Sequence, residues 1–231
     1  MKFIGVTGGV GAGKSAILSY LAQKPYTKVM LADDIAHRLM EPGTDCYKEI
    51  VKCFAGEDIF GENTFSVNLS ENENQESITV LASEILRKKK KGQEEVFPPF
   101  DSGKLAHVIF SNPKKREKLN AIVHPAVKEY VKQVYEKEQS KGELDYLILE
   151  AALLIEEHYD EICDELWYIY TREDVRRKRL KESRGYSNEK IDDILRSQLS
   201  EQEFRKGTQV VIDNNGDPED TFLQIEKFLR R

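Results

Sequence analysis

Residues 2–22 read KFIGVTGGVGAGKSAILSYLA. Inside them, residues 8–15 follow the pattern Gly-x-x-x-x-Gly-Lys-Ser, which marks a phosphate-binding loop when a strand precedes it and a helix follows. Phe3, Ile4 and Val6 make a short apolar run suited to a buried strand, and Ala16, Ile17, Leu18, Tyr20 and Leu21 fall at helical spacing. Both halves of the context are therefore present, which sets aside a plain glycine-rich turn. Gly8, Gly9, Gly11 and Gly13 have no Cβ, so the backbone can turn left-handed and approach an anion closely. Freed N–H groups and a helix N-terminus attract phosphate. In such a loop Lys14 reaches the β- and γ-phosphates and the Ser15 hydroxyl is placed to ligate Mg²⁺.

The chain has 231 residues, 39% of them hydrophobic and 33% charged, the make-up of a soluble globular protein with room for one sizeable core or two small ones. No apolar run approaches membrane-spanning length, and the N-terminus does not read as a signal peptide. Cys46, Cys53 and Cys163 are few and lack metal-site spacing, so they read as reduced thiols of a cytoplasmic protein. The formal charge of −6 argues against nucleic acid as a partner but leaves room for an anionic small molecule. No obligate protein partner is inferred.

Beyond the first strand, the best strand candidates are 28–31, 146–149, 166–170 and 209–212. Helical patterns lie at 104–110, 114–123, 125–138, 188–199 and 218–229. The last begins with Asp217 as N-cap and Pro218 at the first helical position, a good start signal. Alternating strands and helices predict an α/β fold with a parallel sheet of about five strands covered on both faces. Residues 61–97 break this rhythm. They hold a polar Asn/Glu-rich stretch, Ile78, Leu81, Ile85 and Leu86 at helical spacing, and a run of four lysines at 88–91. We read them as an extra, partly flexible insertion carrying one short amphipathic helix, its lysines a solvated helix end.

Ligands of open parallel sheets bind beyond the carboxyl ends of the strands. That rule gathers the phosphate loop, Asp33 and Asp34, Glu150, Thr171 and Arg172, and Asp213 and Asn214 onto one rim. Asp33 and Asp34 stand where a base near the γ-phosphate must stand, or where an N-cap for the helix through Ile35 and Leu39 must stand. Glu150 is either a plain strand-end carboxylate or an acid that holds Mg²⁺ through water. His124, before Pro125, is either a structural helix-start residue or a contact to an anionic acceptor. Arg172, Arg176 and Arg179 share one face of the helix after strand four, at spacings of four and three. Arg184 follows, and 172–196 reads as a two-helix lid whose arginines offset phosphate charge; the alternative is a solvated helix paired by Glu173, Asp174 and Glu182.

The blocks VTGGVGAGKS, ADDIAHRLMEPGT, NAIVHPAV, LLIEEHYDEICDELWYIY, RLKESRGYS, RSQLS and VIDNNGD occur here in this order, and together they resemble the dephospho-CoA kinases. The likeness runs over nearly the whole chain apart from about 40 residues near 61–97. It implies a P-loop kinase fold, a single domain over 1–231, with a helical acceptor-binding part at 35–135 and the lid at 172–196. The implied reaction is ATP- and Mg²⁺-dependent phosphorylation of the ribose 3′-hydroxyl of dephospho-CoA. The implied ATP contacts are Gly8, Gly9, Val10, Gly11, Ala12, Gly13, Lys14, Ser15 and Ala16 at the phosphates and Asn214 near the adenine. The implied catalytic residues are Lys14 and Asp33, the implied acceptor contacts Asp33, His37 and His124, and the implied lid contacts Arg176, Arg179 and Arg184. The chain departs from the family in having Leu31 before Ala32-Asp33, Ala16 after Ser15, Ala152 in place of proline, and Ser102 and Ser183 where arginines are common. Another P-loop kinase or a GTP-driven switch are the alternatives, although the guanine-reading Asn-Lys-x-Asp is missing from the sequence.

Overall fold

Strand β1 (Lys2–Thr7) is the middle of a five-stranded sheet. Its companions are β2 (Thr27–Leu31), β3 (Tyr146–Glu150), β4 (Glu165–Tyr170) and β5 (Val210–Asp213), in the order β2-β3-β1-β4-β5. All four pairings are parallel. In register, Val6 and Leu31 both lie beside Glu150 of β3, and Tyr170 of β4 lies beside Asp213 of β5, so the carboxyl ends finish on one edge. The chain leaves β1 for β2 on one side of the sheet and leaves β4 for β5 on the other. The crevice between β1 and β4 is therefore the point where such sheets take their ligand.

The computed structural model describes residues 1–60 and 98–230. Its helices are α1 (Lys14–Ala22), α2 (Ala32–Leu39), α3 (Asp45–Cys53), α4 (Ser102–Phe110), α5 (Pro113–Lys141), α6 (Glu173–Arg184), α7 (Asn188–Arg196), α8 (Glu201–Lys206) and α9 (Pro218–Leu229). Alternation along the strands sorts the core into two faces. Ile4, Val6, Ile148, Trp167, Ile169 and Ile212 pack with Ile17 and Leu21 of α1 and Ile225 of α9. On the other face the Phe3 ring stacks on Tyr135 of α5 at 5.2 Å, and Tyr168 stacks on Phe204 of α8 at 4.6 Å. Each fully buried aliphatic side chain contributes about 1.5–3 kcal/mol.

The chain divides into two compact units, one of residues 1–33 with 131–231 and one of Asp34–Tyr130, and α2 and α5 run across the division. The second unit has its own core, including Ile35, Tyr47, Ile50, Phe54, Ile59 and Leu105. There Tyr47 stacks on Phe100 at 4.6 Å and its hydroxyl donates to the Pro98 carbonyl at 2.6 Å, and burial pushes that hydroxyl's pKa up to about 12.

Several expected boundaries moved. The proline at 125 does not open a helix but lies inside α5. It forfeits one helical hydrogen bond, which is a real cost, yet Leu119, Val123, Val127 and Val131 recur every four residues and are all buried, and only an unbroken helix keeps them on one face. The helix from Asn188 stops at Arg196 rather than 199, because Ser200 and Glu203 form a capping box that starts α8. Helix α2 begins at Ala32, directly after β2, so neither Asp33 nor Asp34 is its N-cap. Both sit in its first turn, where a carboxylate favours the helix dipole. The insertion at 61–97, with its amphipathic stretch and lysine run, lies outside the described residues.

Within the first unit, Glu138 of α5 accepts from Lys28 of β2 at 2.7 Å and from Lys141 at 2.9 Å. These bonds hold the Glu138 pKa down to about 2, from an ordinary 4.5. A carboxylate so depressed gives its full stabilisation above the ordinary value and loses it as pH falls toward the folded one. Glu138→Gln should therefore lower Tm at pH 6, with the gap to the unsubstituted protein closing as the pH is taken from about 4.5 down toward 2. A gap that stays constant with pH means that the pairing contributes nothing through its charge.

Candidate active site

The loop after β1 is held by its carbonyl groups. The Gly8 carbonyl accepts from Lys14 Nζ at 2.6 Å. The Val10 carbonyl accepts from Arg176 Nε at 2.9 Å. The Ala12 carbonyl accepts from three donors: Asn214 Nδ2 at 2.7 Å, Thr171 Oγ1 at 3.0 Å and Arg179 Nη1 at 3.3 Å. Gly13 is the N-cap of α1 in the left-handed region at φ 88°, and a Cβ there would lie 2.3 Å from Asn214 Nδ2, so only glycine fits. No side chain caps α1 and no acid stands in its first turn. Its N-terminus, with Lys14, Ser15 and Ala16, therefore presents the positive end of the helix dipole. Ser15 and Ala16 are exposed.

Lys14 Nζ also lies 3.7 Å from Glu150 Oε1. Burial pulls the Lys14 ammonium below its ordinary pKa, and the carboxylates of Glu150 and Asp33 act against that pull. Asp33 is exposed, two residues beyond the end of β2, and its charge reaches Lys14. Asp33, Glu150 and the loop thus share one rim of the first unit. A serine hydroxyl with a carboxylate nearby suits Mg²⁺, which keeps several waters and takes few protein ligands besides substrate phosphates.

The arginines after β4 divide by face. Arg176 and Arg179 turn to the loop, and Arg179 Nη2 also donates to the Asn214 carbonyl at 3.0 Å. Arg172 pairs with Asp174 at 3.1 Å, and Arg177 bonds Glu173 at 2.7 Å and Asp192 of α7 at 2.6 Å. The helix therefore presents Arg176 and Arg179 to the loop and pairs Arg172 and Arg177 with acidic side chains. Arg184 is exposed at the end of α6, 5.9 Å from the centre of the Tyr186 ring. Asn214 is buried, its amide bonded to Ala12 and its Oδ1 accepting from Thr221 at 3.1 Å. His37 (exposed, in α2) and His124 (half-buried, in α5) belong to the second unit.

The comparisons with known proteins agree with one another. The family model described as dephospho-CoA kinase matches residues 2–68 and 99–220. The chain belongs to the dephospho-CoA kinase family. A dephospho-CoA kinase of Fusobacterium nucleatum is 32% identical over 99% of this chain and 97% of its own length. One of Oceanobacillus iheyensis is 30% identical over 99% and 96%. Among solved structures, the dephospho-CoA kinase of Campylobacter jejuni superposes with TM-score 0.61 at 18% identity, covering 100% of this chain and 96% of that one. Thermus thermophilus TT1252 gives 0.61 at 23% identity over 99% and 96%. These two show the same P-loop kinase fold. Family membership sets aside the GTP-driven switch.

Three residues of this network are given no role by the sequence: Thr171, which the strand-end rule puts on the rim, Gln198, which lies inside the block RSQLS, and Thr221. Thr171 carried one usable signal, since it is the first residue past β4 on the ligand-binding edge. Its buried hydroxyl donates to the Ala12 carbonyl and also lies 3.3 Å from the Asn214 carbonyl. Thr171→Val keeps the shape and removes the donor. The expected result is a stability loss of about 1 kcal/mol and a several-fold weaker Kd for ATP, both read by calorimetry. Unchanged ATP affinity would show that the Ala12 carbonyl does not need this donor.

Proposed function

We infer that the chain transfers the γ-phosphoryl group of ATP to the ribose 3′-hydroxyl of dephospho-CoA, giving CoA and ADP, the last step of coenzyme A synthesis. The observation that carries this is the position of Asp33: beyond β2, on the rim of the phosphate loop, close enough for its charge to act on Lys14. The conclusion about the acceptor itself rests on family membership.

In this reading Gly8, Gly9, Val10, Gly11, Ala12, Gly13, Ser15 and Ala16 surround the phosphates; the N–H groups of Val10, Ala12 and Ala16 are bonded to Gln198, Gly9 and Gly13, which leaves those of the other five to face the anion. Lys14 leaves the Gly8 carbonyl and Glu150 and turns to the β- and γ-phosphates. Ser15 and, through water, Glu150 would hold Mg²⁺, which would supply positive charge against that of the phosphates. Asp33 accepts the proton of the acceptor hydroxyl and aligns its oxygen for in-line attack. Arg176 and Arg179, on the lid at 172–196, face the charge that spreads over the transferred group. Arg184, exposed at the end of α6, is the third arginine of this set. Asn214 serves the adenine side by holding the 213–217 turn against the loop. His37 and His124 contact the anionic acceptor from the helical part at 35–135. The reaction needs no membrane, nucleic acid or obligate protein partner, and we place it in the cytoplasm.

Asp33→Asn keeps the shape but cannot take a proton. It should bind ATP normally, melt near the unsubstituted protein, and lose roughly 10²–10⁴ in kcat with dephospho-CoA. Asp34→Asn should cost far less. A near-normal kcat for Asp33→Asn, or a dead Asp34→Asn, overturns the assignment of the base.

A further inference from the structure

A closed ring of hydrogen bonds joins the loop to the segment after α7. Gln198 Oε1 accepts from the Val10 N–H at 3.3 Å and from Arg176 Nη2 at 2.6 Å. Arg176 Nε closes the ring by donating to the Val10 carbonyl at 2.9 Å. One amide oxygen and one guanidinium thus clamp both polar groups of a single loop residue. The clamp brings the Arg176 guanidinium against Gly9, where a Cβ would stand 2.3 Å from Arg176 Nη2.

We propose that Gln198 is a positioning residue for phosphoryl transfer, which acts by aiming Arg176 across the loop at the transferred phosphate. A guanidinium has five N–H donors in a fixed plane. The ring uses Nε and one Nη2 hydrogen, and neither bond involves Nη1. Fixing one edge of the plane fixes the direction of the rest, so the remaining donors need no reorganisation when charge develops in front of them. Lysine in place of arginine could not be aimed this way.

The position of Gln198 is itself braced. It lies between the C-cap of α7 at Ser197 and the capping box of α8 at Ser200 and Glu203. Helix α8 is seated on the sheet by the stack of Phe204 on Tyr168, 4.6 Å apart and nearly coplanar at 5°. Arg177 ties α6 to α7 through Asp192 at 2.6 Å. A short rigid route therefore runs from β4 through α8 to Gln198, Arg176 and the loop.

The proposal rests on reading this site as a phosphoryl-transfer site, and a double-mutant cycle tests it separately from the choice of acceptor. Gln198→Ala, Arg176→Ala and the double variant are compared in kcat and KM with ATP and dephospho-CoA, beside their melting temperatures. Gln198→Ala should lower kcat about 10- to 100-fold, the worth of a hydrogen bond to a charged group, with KM for dephospho-CoA within about two-fold. In the Arg176→Ala background the same change should cost less than about two-fold, because there is no guanidinium left to aim. Equal losses in both backgrounds, an unchanged kcat, or an effect confined to the acceptor KM would each overturn the proposal. If the unsubstituted protein does not phosphorylate dephospho-CoA, the acceptor reading fails by itself. The cycle is then read in the Kd for ATP, where the same non-additivity supports the proposal and additivity overturns it.

Discussion

A phosphate loop has to keep its backbone N–H groups turned toward an anion, and its carbonyls then face the other way and need partners. Here those partners are side chains from the strands and helices around the loop. Lys14 serves Gly8, Arg176 serves Val10, and Thr171, Arg179 and Asn214 together serve Ala12. Buried carbonyls left without donors cost free energy, so the loop's shape and the placement of these side chains determine each other. The parallel sheet delivers them. Thr171 and Asn214 stand just past the ends of β4 and β5, on the side of β1 where the crevice opens.

The same arrangement keeps charge in order before any substrate arrives. Lys14 is partly desolvated, which lowers its pKa, and the carboxylates of Glu150 and Asp33 act against that lowering. Asp33 lies within reach of that lysine yet remains exposed. Its place on the rim follows from β2 running directly into α2.

The loop pattern and the five strands were legible because each rests on local regularity: glycines at fixed offsets, apolar runs bounded by breaks, and helices with capping signals. Errors of one or two residues, such as 209–212 against Val210–Asp213, reflect strand ends that depend on a neighbour's register. Pro125 misled because a proline usually marks a helix start, while the four-residue apolar spacing on both sides of it carried the decision. Asp33 and Asp34 misled as caps because nothing local announces that a strand passes into a helix without a turn. The clamp through Gln198 was not legible at all. Residues 10, 176 and 198 share no periodicity and meet only through the fold, and a side chain bonding a backbone group constrains no residue type near it in sequence. Asn214 was placed by resemblance beside the adenine, and its buried bonds to Ala12 and Thr221 are visible only in three dimensions.

The central claim is that this rim transfers a phosphoryl group from ATP to one particular hydroxyl. The most direct measurement is Mg²⁺-dependent ADP release, as kcat/KM, against dephospho-CoA, nucleoside monophosphates, pantothenate, shikimate and water alone. The account predicts that dephospho-CoA is preferred over every other acceptor and that its product carries the new phosphate on the ribose 3′-oxygen. A higher kcat/KM with another acceptor, or ADP formed equally fast without any acceptor, would contradict it.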